Sequence, residues 1–140
     1  KKEANVVEFS RIALAYILNE CIKEYGQDLK NEQWIIEPLS NCIISLCIMD
    51  TVFKRFKNIS IDIKKKFKAG DVLSLSIYNQ YKQLISNFKT IAAYLDGKNS
   101  TNLQDEIDKQ IRTLSYNCDE IKLKKLIVDN FYKHDKYYLD

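Results

Sequence analysis

The chain has 140 residues, of which 46% are hydrophobic and 29% charged, and its formal net charge at pH 7 is +3. This composition is typical of a globular domain and excludes a chain that is disordered throughout. With only one proline and three glycines, a turn-rich β fold is disfavoured and long helices are favoured. We therefore expect a single all-α domain over residues 1–140, large enough to bury a substantial core.

The first predicted helix covers about Ala4 to Tyr25, where apolar residues follow one helical stripe. Gly26 comes directly after the last periodic residue, at the position where a left-handed residue commonly ends a helix. A short connection, Gln27 to Lys30, then leads into the next helix. The chain starts at Lys1 without an initiator methionine, so we interpret it as an excised piece of a longer protein or as a mature fragment.

The central stretch, Asn31 to Lys57, carries the strongest pattern in the chain. Alternating spacings of four and three place seven apolar residues on one heptad stripe: Ile35, Leu39, Cys42, Leu46, Met49, Phe53 and Phe56. Other faces are apolar too, which predicts that the remaining helices surround this one. Pro38 lies inside the pattern and predicts either a kink or the start of a second helix; the in-phase stripe favours the kink.

The connection over residues 58–70 is basic and is predicted to be extended or loosely ordered, because isoleucines alternate with polar residues in it. From Lys54 to Lys68, seven basic residues and one acidic residue give a local net charge of +6. We favour a solvated connection. The alternative is a segment that touches an anionic membrane surface. Its candidate contact residues are Lys64, Lys65, Lys66, Phe67 and Lys68.

The third predicted helix covers about Asp71 to Asp96 and ends at Gly97. Its four-three spacing predicts a left-handed, nearly antiparallel pairing with the central helix. Two shorter helices follow. The first begins at a capping box of Thr101 and Gln104, and the second is capped by Asp119. The expected architecture is an up-down bundle of about five helices, three long and two shorter.

The residues that usually carry catalysis are scarce. His134 is the only histidine, and Phe131 stands three positions before it, which excludes the Glu-x-x-His motif of carboxylate di-iron bundles. One histidine also disfavours zinc sites and Ser-His or Cys-His catalytic pairs. The glycines stand singly, so no phosphate-binding loop is predicted. We expect no catalytic, cofactor-binding or metal-binding residues, and therefore no enzymatic activity in this chain.

The cysteines and aromatic residues are interpreted as packing residues. Cys21, Cys42, Cys47 and Cys118 lie at or beside apolar positions, which favours buried thiols in a reducing compartment. Most tyrosines lie along helical core stripes, so nucleic-acid stacking is disfavoured and no nucleic-acid partner is expected. No apolar run approaches the roughly 20 residues that span a bilayer. We expect a soluble, cytoplasmic protein that is at most peripheral to a membrane.

The chain from Glu32 to its end resembles the C-terminal helical extension of very-long-chain-type acyl-CoA dehydrogenases. The similarity begins with Glu32-Gln33 and the apolar helix IISLCIMDTVFKR, in which Asp50 and Arg55 match a final acid and an arginine five residues later. It continues in the same order through Asp96-Gly97, the segment IRTL and the closing KLKKLIVDNFYKHDKYYLD. The chain departs from the pattern where Pro38 and Ser40-Asn41 replace a Leu-Ala-Asp step and where Lys124-Lys125 replaces paired arginines.

The resemblance implies a non-catalytic domain of an FAD-dependent enzyme of fatty-acid β-oxidation. The FAD site and the catalytic carboxylate of that family lie upstream, so this chain would contribute core packing, dimer contacts or membrane association. The implied partners are the catalytic core and a second subunit. Asp50 and Arg55 are the candidate residues for ion pairs that orient the domain, although their spacing of five disfavours a pair between them.

Two other functions stay open at this point. The first is a stand-alone helical adaptor or oligomerisation module, in which apolar residues outside the core stripes form a groove for a partner. The second is a basic patch that binds nucleic acid, which would bind less tightly as salt increases. A contiguous exposed apolar surface would fit the adaptor and the appended domain alike.

Overall fold

The computed structural model describes residues 2–67, 69–99, 102–114, 116 and 118–134, and of residues 66, 67, 98, 99, 131, 133 and 134 the backbone only. Helices dominate these residues, and no strand occurs among them, which confirms the all-α class. The helices are α1 (Lys2–Tyr25), α2 (Gln33–Asn58), α3 (Ile61–Phe67), α4 (Ala69–Asn99), α5 (Leu103–Leu114) and α6 (Glu120–His134), and a 3₁₀ segment, Gly26–Asn31, joins α1 to α2. Gly26 has a φ of 55°, which confirms the left-handed residue expected at the end of α1.

The connection after α2 differs from the prediction, because it contains the short helix α3. The Ser60 hydroxyl accepts a hydrogen bond from the Ile63 backbone N–H at 3.3 Å, and the Ser60 carbonyl accepts one from Lys64 N–H at 3.0 Å. Ser60 therefore acts as an N-cap. This local cap prevails over the alternation of Ile59, Ile61 and Ile63, which on its own indicated extended backbone.

Helix α4 is longer than predicted at both ends. It begins at Ala69 rather than Asp71 and continues through Gly97 to Asn99. Gly97 keeps helical backbone, with none of the positive φ found at Gly26. A glycine inside a helix costs about 1 kcal/mol relative to alanine, which the packing of so long a helix can offset. The expectation that Gly97 ends the helix is therefore wrong.

Helix α2 is a single helix that passes through Pro38. It begins just after Glu32, whose carbonyl accepts hydrogen bonds from the N–H groups of Ile35 and Ile36 at 3.0 and 2.9 Å. Pro38 is buried inside the helix, so the alternative of a separate helix starting there is wrong. The heptad stripe faces the core as predicted, since Ile35, Leu39, Cys42 and Met49 are each at most 4% exposed.

Helices α2 and α4 form the most extensive contact between helices in the described chain. Asn41 and Asn87 line one groove with Ile48 and Gln80, and the Cys42 thiol donates to the Leu84 carbonyl at 3.9 Å. Residue numbers thus rise along α2 as they fall along α4, which shows that the two helices run in opposite directions. Both helices contribute to the largest fully buried side chains of the described residues, α2 with Ile35 and Met49 and α4 with Phe88.

Helix α1 packs on both members of this pair. The Arg11 guanidinium lies 3.2 Å from the Asp50 carboxylate on α2, and the Phe9 ring lies 6.4 Å from the Tyr81 ring on α4, edge to face. The expectation that other helices surround α2 is wrong, however. Four apolar residues on its outer side are exposed: Ile43, Ile44, Cys47 and Ile48.

By length and composition, α2 is also apolar enough to cross a membrane. Of its most apolar 18-residue window, 33% is buried inside the protein. The expectation that no apolar segment is long enough to span a bilayer is therefore wrong for α2. Core helices of soluble proteins meet the same criterion, so the helix does not decide between a soluble and a membrane protein.

The start of α5 is capped from the preceding helix. The two carboxylate oxygens of Asp96 accept hydrogen bonds from the N–H groups of Leu103 and Gln104 at 2.9 and 3.0 Å. Thr101, the expected partner of Gln104 in a capping box, lies outside the described residues. The expected cap of the last helix is confirmed, because the Asp119 carboxylate accepts a hydrogen bond from Lys122 N–H at 3.0 Å.

The Asp96 cap predicts a measurable loss of stability on substitution. Asp96→Ala leaves two N–H groups at the start of α5 without their acceptor, so the free energy of unfolding should fall by about 1–2 kcal/mol. Urea unfolding followed by circular dichroism measures this. Asp129→Ala, at an exposed position of α6, is the control and should change the midpoint little. Equal effects of the two substitutions would contradict the cap.

Candidate functional site

Asp50, one of the two candidate orientation residues, forms ion pairs within the chain. Its carboxylate lies 2.9 Å from the Lys54 ammonium and 3.2 Å from the Arg11 guanidinium. The hydrogen bond from Lys54 and the charge of Arg11 hold the pKa of Asp50 below its ordinary value. Arg55 is exposed and takes part in none of the ion pairs between described residues. Asp50 thus orients α2 against α1, and Arg55 remains available to a partner.

In the basic segment after α2, two exposed isoleucines lie on different sides of α3. The Lys64 ammonium lies 4.3 Å from the centre of the Phe56 ring, so its charge is partly engaged inside the chain. Ile61 and Ile63 are both exposed, but positions two apart on a helix point about 200° away from each other. Lys65 is exposed. The side chains of Lys66 and Phe67, and all of Lys68, lie outside the described residues.

The cysteines fall into two groups. Cys21 and Cys42 are fully buried, and burial raises the pKa of the Cys21 thiol to about 11 and that of the Cys42 thiol to about 12. Both are therefore protonated near neutral pH and are poor nucleophiles. Cys118 is partly buried, and burial raises its pKa as well. Cys47 is exposed on α2, so the expectation that it is a buried hydrophobe is wrong.

A half-buried polar cluster joins the first turn of α1 to α4 and to the connection between α5 and α6. One Glu3 carboxylate oxygen accepts hydrogen bonds from the Ser74 hydroxyl and from the Tyr116 hydroxyl, each at 3.2 Å. The Cys118 thiol lies 3.9 Å from the Ser74 carbonyl. Burial and the neighbouring Cys118 and Glu3 raise the pKa of Tyr116 far above its ordinary value.

This cluster is suited to holding elements together rather than to catalysis. Ser74 donates to a carboxylate, and among the described side chains no histidine or lysine is bonded to it. The protonated Tyr116 is a hydrogen-bond donor and cannot act as a base near neutral pH. Sequence analysis did not predict the cluster, because its members lie 42 to 113 positions apart and no local pattern marks them.

Three tyrosine rings pack beside this cluster. The Tyr116 ring lies edge to face with Tyr78 at 5.9 Å and with Tyr81 at 5.6 Å between centroids. Lys82 lies 5.0 Å from the centre of the Tyr78 ring and 2.6 Å from the Glu120 carboxylate. The Tyr81 hydroxyl is buried and has no hydrogen-bond partner within the described part of the chain. These contacts confirm that Tyr78 and Tyr81 are packing residues.

An open apolar groove of about 470 Å³ lies between α1, α4 and α5, and we call it the α1/α5 groove. Ile12 and Tyr16 form its α1 edge and are 61% and 46% exposed. Phe88 of α4 lines it, and Glu106 and Gln110 of α5 are its polar members. Its lining residues are Phe9, Ile12, Ala13, Tyr16, Ile17, Phe88, Glu106, Ile107 and Gln110.

The outer side of α2 is a second exposed apolar surface. Its residues Ile43, Ile44 and Ile48 are 48%, 57% and 39% exposed, and no charged residue is exposed on α2 between Glu37 and Lys54. Beside it, Ile44 and Ile48 line a shallow groove of about 380 Å³ with uncharged polar residues of α4. Periodicity indicated extra apolar faces on this helix but assigned them to the core.

Comparison with known proteins places the chain in no family. No protein-family model, no curated protein and no solved structure matches it. Within the described residues, no cluster of histidine, cysteine, aspartate or glutamate has the arrangement needed to hold a metal ion. The exposed apolar surfaces are therefore the features from which a function can be argued.

The tyrosine cluster predicts opposite effects for two matched substitutions. Tyr116→Phe removes the hydroxyl that donates to Glu3, so the free energy of unfolding should fall by about 1–3 kcal/mol. Tyr81→Phe removes a buried hydroxyl without a partner and keeps the ring, so stability should stay equal or rise by up to about 1 kcal/mol. Urea unfolding measures both. A larger loss for Tyr81→Phe than for Tyr116→Phe would contradict the assignment of hydrogen bonds.

Proposed function

We propose that this chain is a non-catalytic helical domain that acts by packing against another protein surface. The observation that carries the proposal is the exposure of large aliphatic side chains at two places, the α1/α5 groove and the outer side of α2. Soluble monomers rarely expose contiguous apolar patches unless the patches bind something. Burying one such side chain contributes about 1.5–3 kcal/mol, so a few of them provide enough free energy for a specific contact.

Several polar groups of the chain support the same proposal, because they hold its own helices together. Asp50 binds Arg11 and Lys54, and Glu3 accepts hydrogen bonds from Ser74 and Tyr116. The raised pKa values of the buried thiols leave them protonated. The basic segment from Lys54 to Lys68 is a weaker candidate for binding nucleic acid or a membrane, since Lys54 and Lys64 already have partners in the chain.

A narrower form of the proposal is that the partner belongs to an FAD-dependent acyl-CoA dehydrogenase. It rests on the collinear resemblance from Glu32 to the end of the chain. In this form the helices make an up-down bundle that is appended to a catalytic core, and FAD is bound by that core. Arg55 is then the orientation residue that contacts the core or a second subunit, because Asp50 is taken up by α1. The location would be cytoplasmic, with membrane contact at most peripheral.

The stand-alone adaptor is the second candidate, and the α1/α5 groove favours it. Its apolar floor and two polar members, Glu106 and Gln110, resemble the grooves in which an amphipathic helix binds with its apolar face. The two candidates differ in whether the partner surface belongs to the same polypeptide as this chain or to a separate protein.

Photo-cross-linking tests the general proposal. A photoreactive phenylalanine derivative at Ile12 probes the groove, and one at Ile44 probes the outer side of α2. In the source cells, discrete protein adducts are expected from at least one of these positions. Lys109, an exposed residue of α5, is the control position and should give no discrete adduct. Failure of both apolar positions to cross-link any protein would contradict the proposal.

The narrower form predicts a much heavier native polypeptide that carries flavin. An antibody against this chain should detect a band far above 16.5 kDa, and the purified species should show flavin fluorescence. Isothermal titration of the 140-residue chain with FAD should show no binding, because the cofactor site would lie upstream. A native band at 16.5 kDa would contradict the acyl-CoA dehydrogenase form and favour the adaptor. A heavy species without flavin would contradict the acyl-CoA dehydrogenase form without favouring the adaptor.

A further inference from the structure

The outer side of α2 carries a second stripe of residues, distinct from the core stripe. Its residue types are arranged symmetrically about its midpoint. Six exposed residues follow each other at spacings of four and three: Glu37, Asn41, Ile44, Ile48, Thr51 and Arg55. At 100° per residue they fall within about 80° of one another around the helix, so they share one face. We call this face the α2 stripe.

The α2 stripe has opposite charges at its ends and apolar residues at its centre. Leu46, which lies on the opposite, core-facing side of the helix, is level with the midpoint of the stripe. Residues of the stripe that are equally far from position 46 have matching chemistry. The inner pair is Ile44 and Ile48, and the next pair, Asn41 and Thr51, is polar and uncharged. The last pair is Glu37 and Arg55, an acid and a base. Neither of these two forms an ion pair with another residue in the described ranges.

We propose that two copies of the chain dimerise through the α2 stripe, with their α2 helices antiparallel about a twofold axis that crosses the stripe between Ile44 and Ile48. This rests on the proposed function and names its partner as a second copy. In the antiparallel arrangement, Glu37 of each copy faces Arg55 of the other, and Ile44 faces Ile48. A twofold interface needs a surface that is complementary to itself, and this stripe meets that requirement in charge, polarity and apolar character.

The surroundings of the stripe suit such an interface. The groove beside it is lined on α4 by Gln80, Gln83, Ser86 and Asn87, which are uncharged and need not be neutralised when a second helix covers them. Depletion of charge is characteristic of interface centres. A membrane surface fits less well, because helices that lie on membranes carry many lysines and arginines on the polar face. A parallel dimer would set like charges against each other at both ends.

Trp34 strengthens the assignment at the end of the stripe. It is the only tryptophan, it is 82% exposed, and it lies about one helical turn before Glu37. In the antiparallel dimer it comes close to Arg55 of the other copy, whose guanidinium can stack on the indole ring. Tryptophan and arginine are the residues most often found to dominate interface binding energy.

Charge reversal tests the dimer and its orientation together. Sedimentation equilibrium of the 140-residue chain should show a dimer whose dissociation constant rises at least about tenfold for Glu37→Arg or for Arg55→Glu. The double variant, Glu37→Arg with Arg55→Glu, should recover most of the affinity because it exchanges the two charges. Asp129→Arg, on the exposed side of α6, is the control and should dimerise as the unsubstituted chain does. Circular dichroism checks that each variant is folded.

Disulfide trapping gives a readout that does not depend on charge. In a Cys47→Ser background, a chain with Ile44→Cys is mixed with one carrying Ile48→Cys and oxidised. When equal amounts are mixed, random pairing gives the mixed disulfide about twice as often as each symmetrical one, and the antiparallel dimer predicts a mixed product well above that ratio. Emission from Trp34 should also change over the concentration range in which the dimer forms.

Three results would overturn the dimer: a monomer at all concentrations, a double reversal no better than the single ones, or symmetrical 44–44 disulfides as the main product. Binding of the monomer to phosphatidylcholine vesicles through Ile44 would also overturn it and assign the stripe to a membrane. If Ile12 cross-links another protein while the chain stays monomeric, the proposed function stands and the dimer alone fails.

Discussion

The burial of one face of α2 against α4 is the constraint on which the other contacts depend. Ile35, Leu39, Cys42 and Met49 are almost completely buried there, opposite a stripe of α4 that includes Leu84 and Phe88. Helix α1 then packs on both helices, and α5 covers α4 from the side of Phe88. Because protein interiors are close-packed, a change of volume in this contact would move every element placed on it.

Polar contacts add orientation to this apolar packing. Asp50 fixes α1 beside α2, Asp96 fixes the start of α5, and Glu3 ties the first turn of α1 to Ser74 and Tyr116. Exposed ion pairs such as Arg11–Asp50 contribute at most about 1 kcal/mol. Such ion pairs favour one arrangement of the helices over others that bury a similar apolar area. Because these polar groups bond within the chain, they are not available to a binding partner, and the candidate contact surfaces are mainly apolar.

Much of the fold could be predicted from the sequence because helical periodicity is a local signal. The bounds of α1, the core stripe of α2, the cap at Asp119 and the glycine at the end of α1 depend on neighbouring residues only. Helix α3 was missed because a serine cap prevailed over an alternating pattern. The continuation of α4 through Gly97 was missed because tertiary packing offsets the cost of a glycine.

The candidate surfaces were harder to predict for a physical reason. A count of apolar residues cannot show which of several apolar faces is covered, since α2 is apolar on nearly every side and only the position of α1 and α4 decides. Thus Cys47 and Ile44 were assigned to the core although they face outwards. The cluster of Glu3, Ser74 and Tyr116 unites distant positions, so no window of sequence contains it.

That cluster has a consequence for the order in which the chain folds. Glu3 and Tyr116 are 113 positions apart, so closing the contact carries a large loss of chain entropy unless the intervening helices are already assembled. The pairing of α1 with α2 and of α2 with α4 joins elements that are near in sequence, and such contacts form early. We therefore expect the first turn of α1 and the connection between α5 and α6 to meet last. This contact can form only when the helices between Glu3 and Tyr116 are already assembled. We expect it to break early when the domain begins to unfold.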